Sequence, residues 1–380
     1  MTLRTDRTEQ PAGAGVMAPG ATGPEAVTGP DDGGGPVAVS ADRPPVPALL
    51  NEARALCLPL LRAAVSALAA PMDAVAAYHF GWTDAAGNPA SGDGGKAVRP
   101  ALAVLSARAA GAGAASGAPA GVAVELVHNF SLLHDDLMDG DEQRRHRDTA
   151  WKVFGPAQAV LVGDALFAAA FQVLHEHGGP HAAAAVARLT TASRDLITGQ
   201  AQDLSFEARG NVGLAECLEM EGNKTSSLLA CASSLGAVLA GAPAPLVEAL
   251  ARYGHHLGLA FQAVDDLLGI WGEPEVTGKP NWSDLRRGKK SLPVVAALGS
   301  GLPQAAELAR MFDTGAVTSE EDGPARAAAL VEEAGGRDWA AAEADRRFAA
   351  ALEALDGTEM DPGARASLRD LAEFVVRRSS

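Results

Sequence analysis

Two short acidic runs stand out as residues able to do chemistry. The first is Asp135-Asp136-Leu137-Met138-Asp139 and the second is Asp265-Asp266. Residues four apart share a helix face, so Asp135 and Asp139 point the same way and repel by roughly a few tenths of a kcal/mol in a plain helix. A solvated surface tolerates that. This run, however, continues a segment in which Val127, Phe130, Leu133 and Leu137 form an apolar stripe. Carboxylates at the lip of a core helix need a compensating charge. Mg²⁺ supplies one, typically taking one or two carboxylates together with phosphate oxygens. Two such runs, each ending an otherwise apolar helix, suit a bundle holding metal between facing walls. A chain with 47 Asp and Glu also makes Asp pairs by chance, so the runs alone leave both readings open.

The basic residues add weight to the metal reading. Of 31, 25 are Arg and only six are Lys: Lys96, Lys152, Lys224, Lys279, Lys289 and Lys290. None falls in the first 95 residues or the last 90. A lysine is ordinarily a solvated surface charge, but in this chain arginine does most of that work and the lysines look reserved. Carboxylates hold metal, metal holds phosphate, and cations hold the remaining oxygens, so this mixture suits a diphosphate site. It is not a P-loop, because Asn223 precedes Lys224 and Ala97 follows Lys96.

The elements that must position these groups are helices. Apolar residues recur at three- and four-residue spacing in alanine-rich blocks at 102–109, 123–133, 157–174, 182–197, 228–239 and 246–268. Gly111-Ala112-Gly113, Gly178-Gly179-Pro180, Gly241-Ala242-Pro243 and Gly272-Glu273-Pro274 separate them. No sustained period-two alternation occurs, so the expectation is an all-α domain of ten or more helices over 48–380. Block 339–355 is amphipathic and reads as a packed surface helix. Residues 1–47 contain eight Gly, eight Pro and no aromatic residue. That composition predicts a disordered leader, either dispensable or a tether that docks to a partner or larger assembly.

The formal charge of −16 and pI near 5.0 argue against a nucleic-acid partner. The longest apolar stretches, around Leu228–Gly241, are broken by Ser and Gly and fall short of the ~20 residues of a membrane span. No signal-peptide pattern opens the chain. Cys57, Cys217 and Cys231 lack metal-ligand spacing and read as core residues in a reducing, cytoplasmic setting.

Several spaced motifs in unbroken order, between about residues 95 and 298, resemble the trans-prenyl diphosphate synthase (polyprenyl synthetase) family. The similarity is greatest to the short-chain geranylgeranyl diphosphate synthases. The motifs are Gly95-Lys96…Arg99-Pro100, His128, Asp135 to Asp139, Arg144-Arg145, Gly163-Asp164, Gly199-Gln200 and Lys224-Thr225. They continue with Phe261-Gln262, Asp265-Asp266, Lys279, Asp284 and Lys289-Lys290. The resemblance implies an isoprenoid-synthase helical bundle with a central Mg²⁺–diphosphate cavity, usually a homodimer. The reaction it implies is head-to-tail condensation of isopentenyl diphosphate with an allylic diphosphate.

Carried onto this chain, Asp135, Asp139 and Asp265 bind Mg²⁺, three ions per site, with Asp136 and Asp266 in support. Arg144, Lys224 and Lys279 hold the allylic diphosphate, while Lys96, Arg99, His128 and Arg145 hold isopentenyl diphosphate. Thr225 and Gln262 face the allylic cation. Phe130 and Ser131, five and four residues before the first Asp, form the floor under the growing tail, and the pair resembles that of C20 synthases, with C15 the competitor. Gly269 departs from the pattern, standing where the family commonly has the last Asp of the second motif. Two alternatives remain open at this point: a class I terpene cyclase on the same fold, and a non-catalytic subunit of a prenyl synthase.

Overall fold

The computed structural model describes residues 44–90, 92, 95–207, 209–274 and 280–377. Contacts divide the chain after Asp42, and everything described belongs to the unit that begins at Arg43. The expected leader falls outside the described residues up to position 43. Its last two residues belong instead to the first helix, because a proline at the start of a helix gives up no hydrogen bond and has its φ already set.

The elements run in order α1 (Val46–Ser66), α2 (Met72–His79), α3 (Val98–Ala109) and α4 (Ala118–Met138). A hairpin of β1 (Gln143–Arg144) and β2 (Arg147–Asp148) precedes α5 (Ala150–Phe154), α6 (Pro156–His177), α7 (Ala182–Glu207) and α8 (Leu214–Glu221). A single π turn, Gly222–Ser226, joins α8 to α9 (Ser227–Leu239). Next come α10 (Ala244–Trp271), a one-turn α11 (Ser283–Arg286), α12 (Leu292–Leu298) and α13 (Pro303–Asp313). The chain continues with a one-turn α14 (Ala316–Ser319), α15 (Gly323–Glu333), α16 (Gly336–Asp356) and α17 (Pro362–Val376). The hairpin, pairing Gln143 with Asp148 and Arg144 with Arg147, is too short for alternation to reveal it in sequence.

Two helices form the centre. α4 is ringed by α1, α3, α6 and α9, and α9 by α3, α4, α7 and α10. Accordingly Val122, Ala123, Val124, Leu126 and Val127 of α4 are fully buried, as are Ala232, Leu235 and Ala237 of α9. A helix apolar on every side belongs inside, and each buried Leu or Val side chain contributes about 1.5–3 kcal/mol. Small residues let these axes approach: a Cβ at Gly236 would lie 2.6 Å from Ser106 Oγ on α3. A second, smaller core gathers Ile270, Leu285, Val294, Leu308 and Leu330 under the segment after α10. All three cysteines are buried and unbridged.

Two expectations need correction. The second Asp pair does not end its helix, since α10 continues to Trp271; the apolar Ile270 and Trp271 dock it onto the second core. Among the described helices, Pro156–His177 and not Leu228–Gly241 is long and apolar enough to cross a membrane by length and composition. It packs on α4 and α7, with part of its apolar run buried there. The 339–355 block is the packed surface helix expected of it, since α16 lies along α10 and buries Ala340, Ala344, Ala351 and Leu355 while its other face is exposed.

Candidate active site

The first acidic wall is the C-terminal end of α4. Asp135 is half-buried there, and burial pushes its carboxyl up to about 6, with Lys224 opposing and Asp139 adding to the rise. Asp139 caps the helix, its N–H donating to the Asp135 carbonyl at 2.8 Å. Its carboxyl is raised by burial and by Asp141 and Asp203, against the pull of Lys224 and Arg287. Asp136 turns inward and is 2% exposed. Arg144 of β1 donates to its Oδ1 from Nε at 2.7 Å and from Nη2 at 2.6 Å. The hairpin brings that guanidinium back to α4. Asp136 is therefore paired with Arg144 in this structure.

The facing wall is built by α7, the π turn and α10. Gly199 permits close contact: a Cβ there would lie 2.6 Å from Lys224 Cα. That approach sets Asp203, one turn further along α7, against Lys224, whose ammonium donates to Asp203 Oδ2. Burial works to lower the Lys224 ammonium, but Asp203 and Asp135 outweigh it and hold it above the usual lysine value. Isolated π turns often occur at functional sites, and this one carries both Lys224 and Thr225.

From Thr225 a chain of hydrogen bonds runs to the second acidic pair. Thr225 Oγ1 donates to Gln262 Oε1 at 2.9 Å, and Gln262 Nε2 donates to Asp266 Oδ1 at 2.9 Å. Asp266 is fully buried and also accepts from Lys289 Nζ at 3.3 Å and Leu292 N–H at 2.9 Å. Burial works to lower the Lys289 ammonium, yet Asp266 and Glu221 raise it well above the ordinary value. Asp265, its neighbour, is exposed on α10. Arg287 spans the two acidic regions, with Nη1 3.6 Å from Asp141 Oδ1 and Nη2 3.7 Å from Asp284 Oδ1.

A second polar site adjoins the first. Lys96, Arg99, His128 and Arg145, singled out separately in the sequence, line one cavity of about 380 Å³ with Glu125, Leu229 and Phe261. Burial, reinforced by Arg99 and Arg145, drives the His128 imidazole well below its usual value, so it is neutral at pH 7. Glu125 is raised by burial, with Arg99 as the main counterweight. Backbone strain sits at the same place: Ala97 and Arg145 adopt left-handed φ of 54° and 52°, conformations that non-glycine residues rarely hold without surrounding constraint.

Beneath the first wall, the Phe130 ring lies 4.8 Å from that of Phe167 on α6, which lies 5.0 Å from Phe171. Ser131 is buried, its hydroxyl donating to the His128 carbonyl at 2.8 Å.

Not every predicted group joins the site. Lys279 lies outside the described residues. Lys152 clips the hairpin to Glu142 at 2.8 Å and Asp148 at 3.3 Å, and Lys290 donates to the Phe206 and Arg209 carbonyls. The reading of lysines as reserved for diphosphate fails for these two. Conversely, Asp203, Glu125 and Glu221 were missed. Asp203 had a signal, since it lies three residues after Gln200 and so on the same face of α7.

The donor set suits a hard divalent cation. Asp135, Asp139 and Asp203 gather around a single ammonium. Among the described residues no three His, Cys, Asp or Glu side chains close into a cage. An ion here must complete its shell with water and ligand oxygens, as Mg²⁺ does.

Two acidic walls interleaved with cations inside an all-helical bundle, beside a separate cationic cavity, define a class of enzyme that handles diphosphates. A model of the polyprenyl synthetase family matches residues 82–328. The chain is 47% identical over 334 residues to a (2E,6E)-farnesyl diphosphate synthase of Mycobacterium tuberculosis, covering 87% of this chain and 93% of that one. It is 44% identical over 332 residues to a geranylgeranyl diphosphate synthase of the same organism, with the same coverage. The crystal structure of a polyprenyl synthetase from Streptomyces coelicolor A3(2) matches with a TM-score of 0.84 at 63% identity, covering 87% of this chain and 99% of that one. The chain belongs to the polyprenyl synthetase family and is a short-chain trans-prenyl diphosphate synthase.

Proposed function

We propose that the enzyme joins isopentenyl diphosphate head to tail onto an allylic diphosphate, giving an all-trans C20 or C15 diphosphate. The observation that carries this reading is the gathering of Lys96, Arg99, His128 and Arg145 in one cavity. A cyclase ionises one diphosphate and has no use for a second cationic site.

The allylic C–O bond breaks with its electron pair leaving on the diphosphate. The isopentenyl double bond then attacks the allylic carbon to form the new C–C bond, and the proton lost from the adjacent carbon goes to a diphosphate oxygen. Lys224 and Lys279 hold the allylic diphosphate, with Arg144 bracing Asp136 beneath it. Asp135, Asp139 and Asp265 would hold Mg²⁺, which would supply positive charge against the charge developing on the leaving group. Neutral His128 donates an N–H to the isopentenyl diphosphate, and Lys96, Arg99 and Arg145 fix its position, which is the proximity contribution to rate. The Thr225–Gln262–Asp266 chain aims oxygen lone pairs at the allylic cation, a preorganised field of the kind that lowers such barriers most. Phe130, backed by Phe167 and Phe171, closes the tail cavity.

The test is incubation with labelled isopentenyl diphosphate, Mg²⁺ and dimethylallyl, geranyl or farnesyl diphosphate, with products identified by mass spectrometry. C20 or C15 product carrying label is expected. Cyclised, unlabelled hydrocarbon from the primer alone would mean the cyclase reading, and no turnover would mean a non-catalytic subunit.

A further inference from the structure

The pair Gly163-Asp164 stands among the sequence motifs, yet neither residue belongs to the acidic walls or lines the cationic cavity. What faces this glycine is an imidazole of α4. A Cβ on residue 163 of α6 would lie 2.3 Å from His134 Nε2 and 2.5 Å from its Cδ2, far inside the roughly 3.5–4.0 Å of an ordinary contact. Gly163 is thus a notch that the ring fills. There His134 Nε2 donates to the Val160 carbonyl at 3.1 Å and stands 3.8 Å from Asp164 Oδ1. The Phe130 ring, one turn earlier on α4, meets the imidazole edge to face with centroids 4.8 Å apart. The ring cannot swing away without giving up both contacts. After Leu133, α4 has one buried residue, Asp136, and it is bound to Arg144. A helix turns by about 100° per residue, so His134 and Asp136 head roughly 200° apart. Asp135 and Asp139 fall between them, at roughly 100° and 140° from His134.

We infer that His134 and Asp136 clamp the end of α4 from two sides, and that His134, seated in the Gly163 notch, fixes the heading of Asp135 and Asp139. His134 is a positioning residue. Its Nε2 is engaged by α6, so it acts through the backbone of α4. Upstream, α4 is held by α1, α3 and α9, so loss of the clamp loosens the acidic end and leaves His128 in place. This rests on the diphosphate–Mg²⁺ reading of the site.

The test uses the full chain. Calorimetry measures Mg²⁺-dependent binding of an alkyl bisphosphonate and, separately, binding of isopentenyl diphosphate alone, with thermal melting as the check on folding. His134→Ala is expected to raise the Mg²⁺ concentration for half-maximal bisphosphonate binding by about tenfold, the lower end of what removing a group that orients metal ligands costs. Affinity for isopentenyl diphosphate should stay near wild type. His134→Gln, whose Nε2 can reach the same carbonyl, should bring the Mg²⁺ requirement back toward wild type. Gly163→Ala fills the notch, displaces the ring and should reproduce the loss with His134 intact. Alanine is the better helix former, so α6 itself is not weakened. The double variant should be no worse than either single one, because both remove the same contact. An unchanged Mg²⁺ requirement in His134→Ala or Gly163→Ala, no recovery in His134→Gln, equal losses for both ligands, or additive losses in the double variant overturns the inference. If His134→Ala does not fold, Gly163→Ala and His134→Gln decide it. A wild type that binds no bisphosphonate with Mg²⁺ overturns the proposed function and this inference with it, whereas a failure confined to the variants overturns only the clamp.

Discussion

Lys96 and Lys224 look alike in sequence but are separated by their surroundings. Lys224 sits between Asp203 and Asp135, whereas Lys96 lines the cavity with Arg99, His128 and Arg145. A Lys96→Ala variant should therefore raise the KM for isopentenyl diphosphate by about 10–100-fold, the scale of one charged hydrogen bond. The KM for the allylic primer should stay within about threefold, and equal losses for both substrates in steady-state kinetics would refute the division. His79 gives a second prediction. Burial, with Arg144 and Arg145, pushes its imidazole down to about 3, while the unfolded chain titrates near 6.5. Between those values the unfolded state binds more protons, so this group's contribution to stability is present above about 6.5 and is lost as pH falls, by at most about 1.4 kcal/mol per unit. His79→Gln should consequently flatten the fall in melting temperature between pH 7 and pH 5 relative to wild type, and parallel curves would remove His79 as a cause. The motif residues were legible because their types recur at fixed local spacing. The partners of Arg144 and Gly163 were not, because each is defined by a contact across a turn or between elements, and no pattern within one helix encodes it.

The helices were readable wherever alanine-rich periodicity ran long enough, and α4, α6, α9 and α10 all contain the expected blocks within their ends. The π turn was not, since Gly222 to Ser226 has no composition that separates it from ordinary helix; packing against Gly199 on α7 shapes it. The proposed floor of the tail cavity belongs to the contact between α4 and α6. Phe130, Phe167 and Phe171 form a ladder of rings, each within about 5 Å of the next, so a shorter side chain at position 130 opens space backed by a second aromatic layer. Phe130→Ala should shift the product by at least one further isoprene unit by mass spectrometry. The change removes core volume and costs about 3–5 kcal/mol, so product length is to be read on the folded fraction. An unchanged product would place the floor elsewhere.

The molecule as a whole shows an apolar surface that a single copy leaves uncovered. Among the described residues the large exposed hydrophobic side chains are Met138, Val160, Leu161, Ile197 and Leu302. Four of them lie on three mutually contacting helices, Met138 on α4, Val160 and Leu161 on α6 and Ile197 on α7. α6 and α7 meet at the Gly178–His181 break, and Leu161 and Ile197 stand eighteen residues before and after Gly179, so antiparallel packing sets them at the same height. His134 Nε2 lies 3.1 Å from the Val160 carbonyl, which brings Met138, one turn further along α4, to the same end. A homodimer covering this face is the arrangement that the apolar cluster supports, since homodimer interfaces are more apolar than ordinary surface and stable ones bury about 800 Å² per partner. Leu161→Glu combined with Ile197→Glu should leave the helical circular dichroism unchanged, because both side chains are exposed in the single chain, while converting a dimer to a monomer in light scattering after gel filtration. Met138 directly precedes Asp139, so the same monomer should also turn over more slowly with Mg²⁺ and both substrates. A wild type that is monomeric at micromolar concentration, or a charged variant that remains dimeric, would show that this face is not the interface.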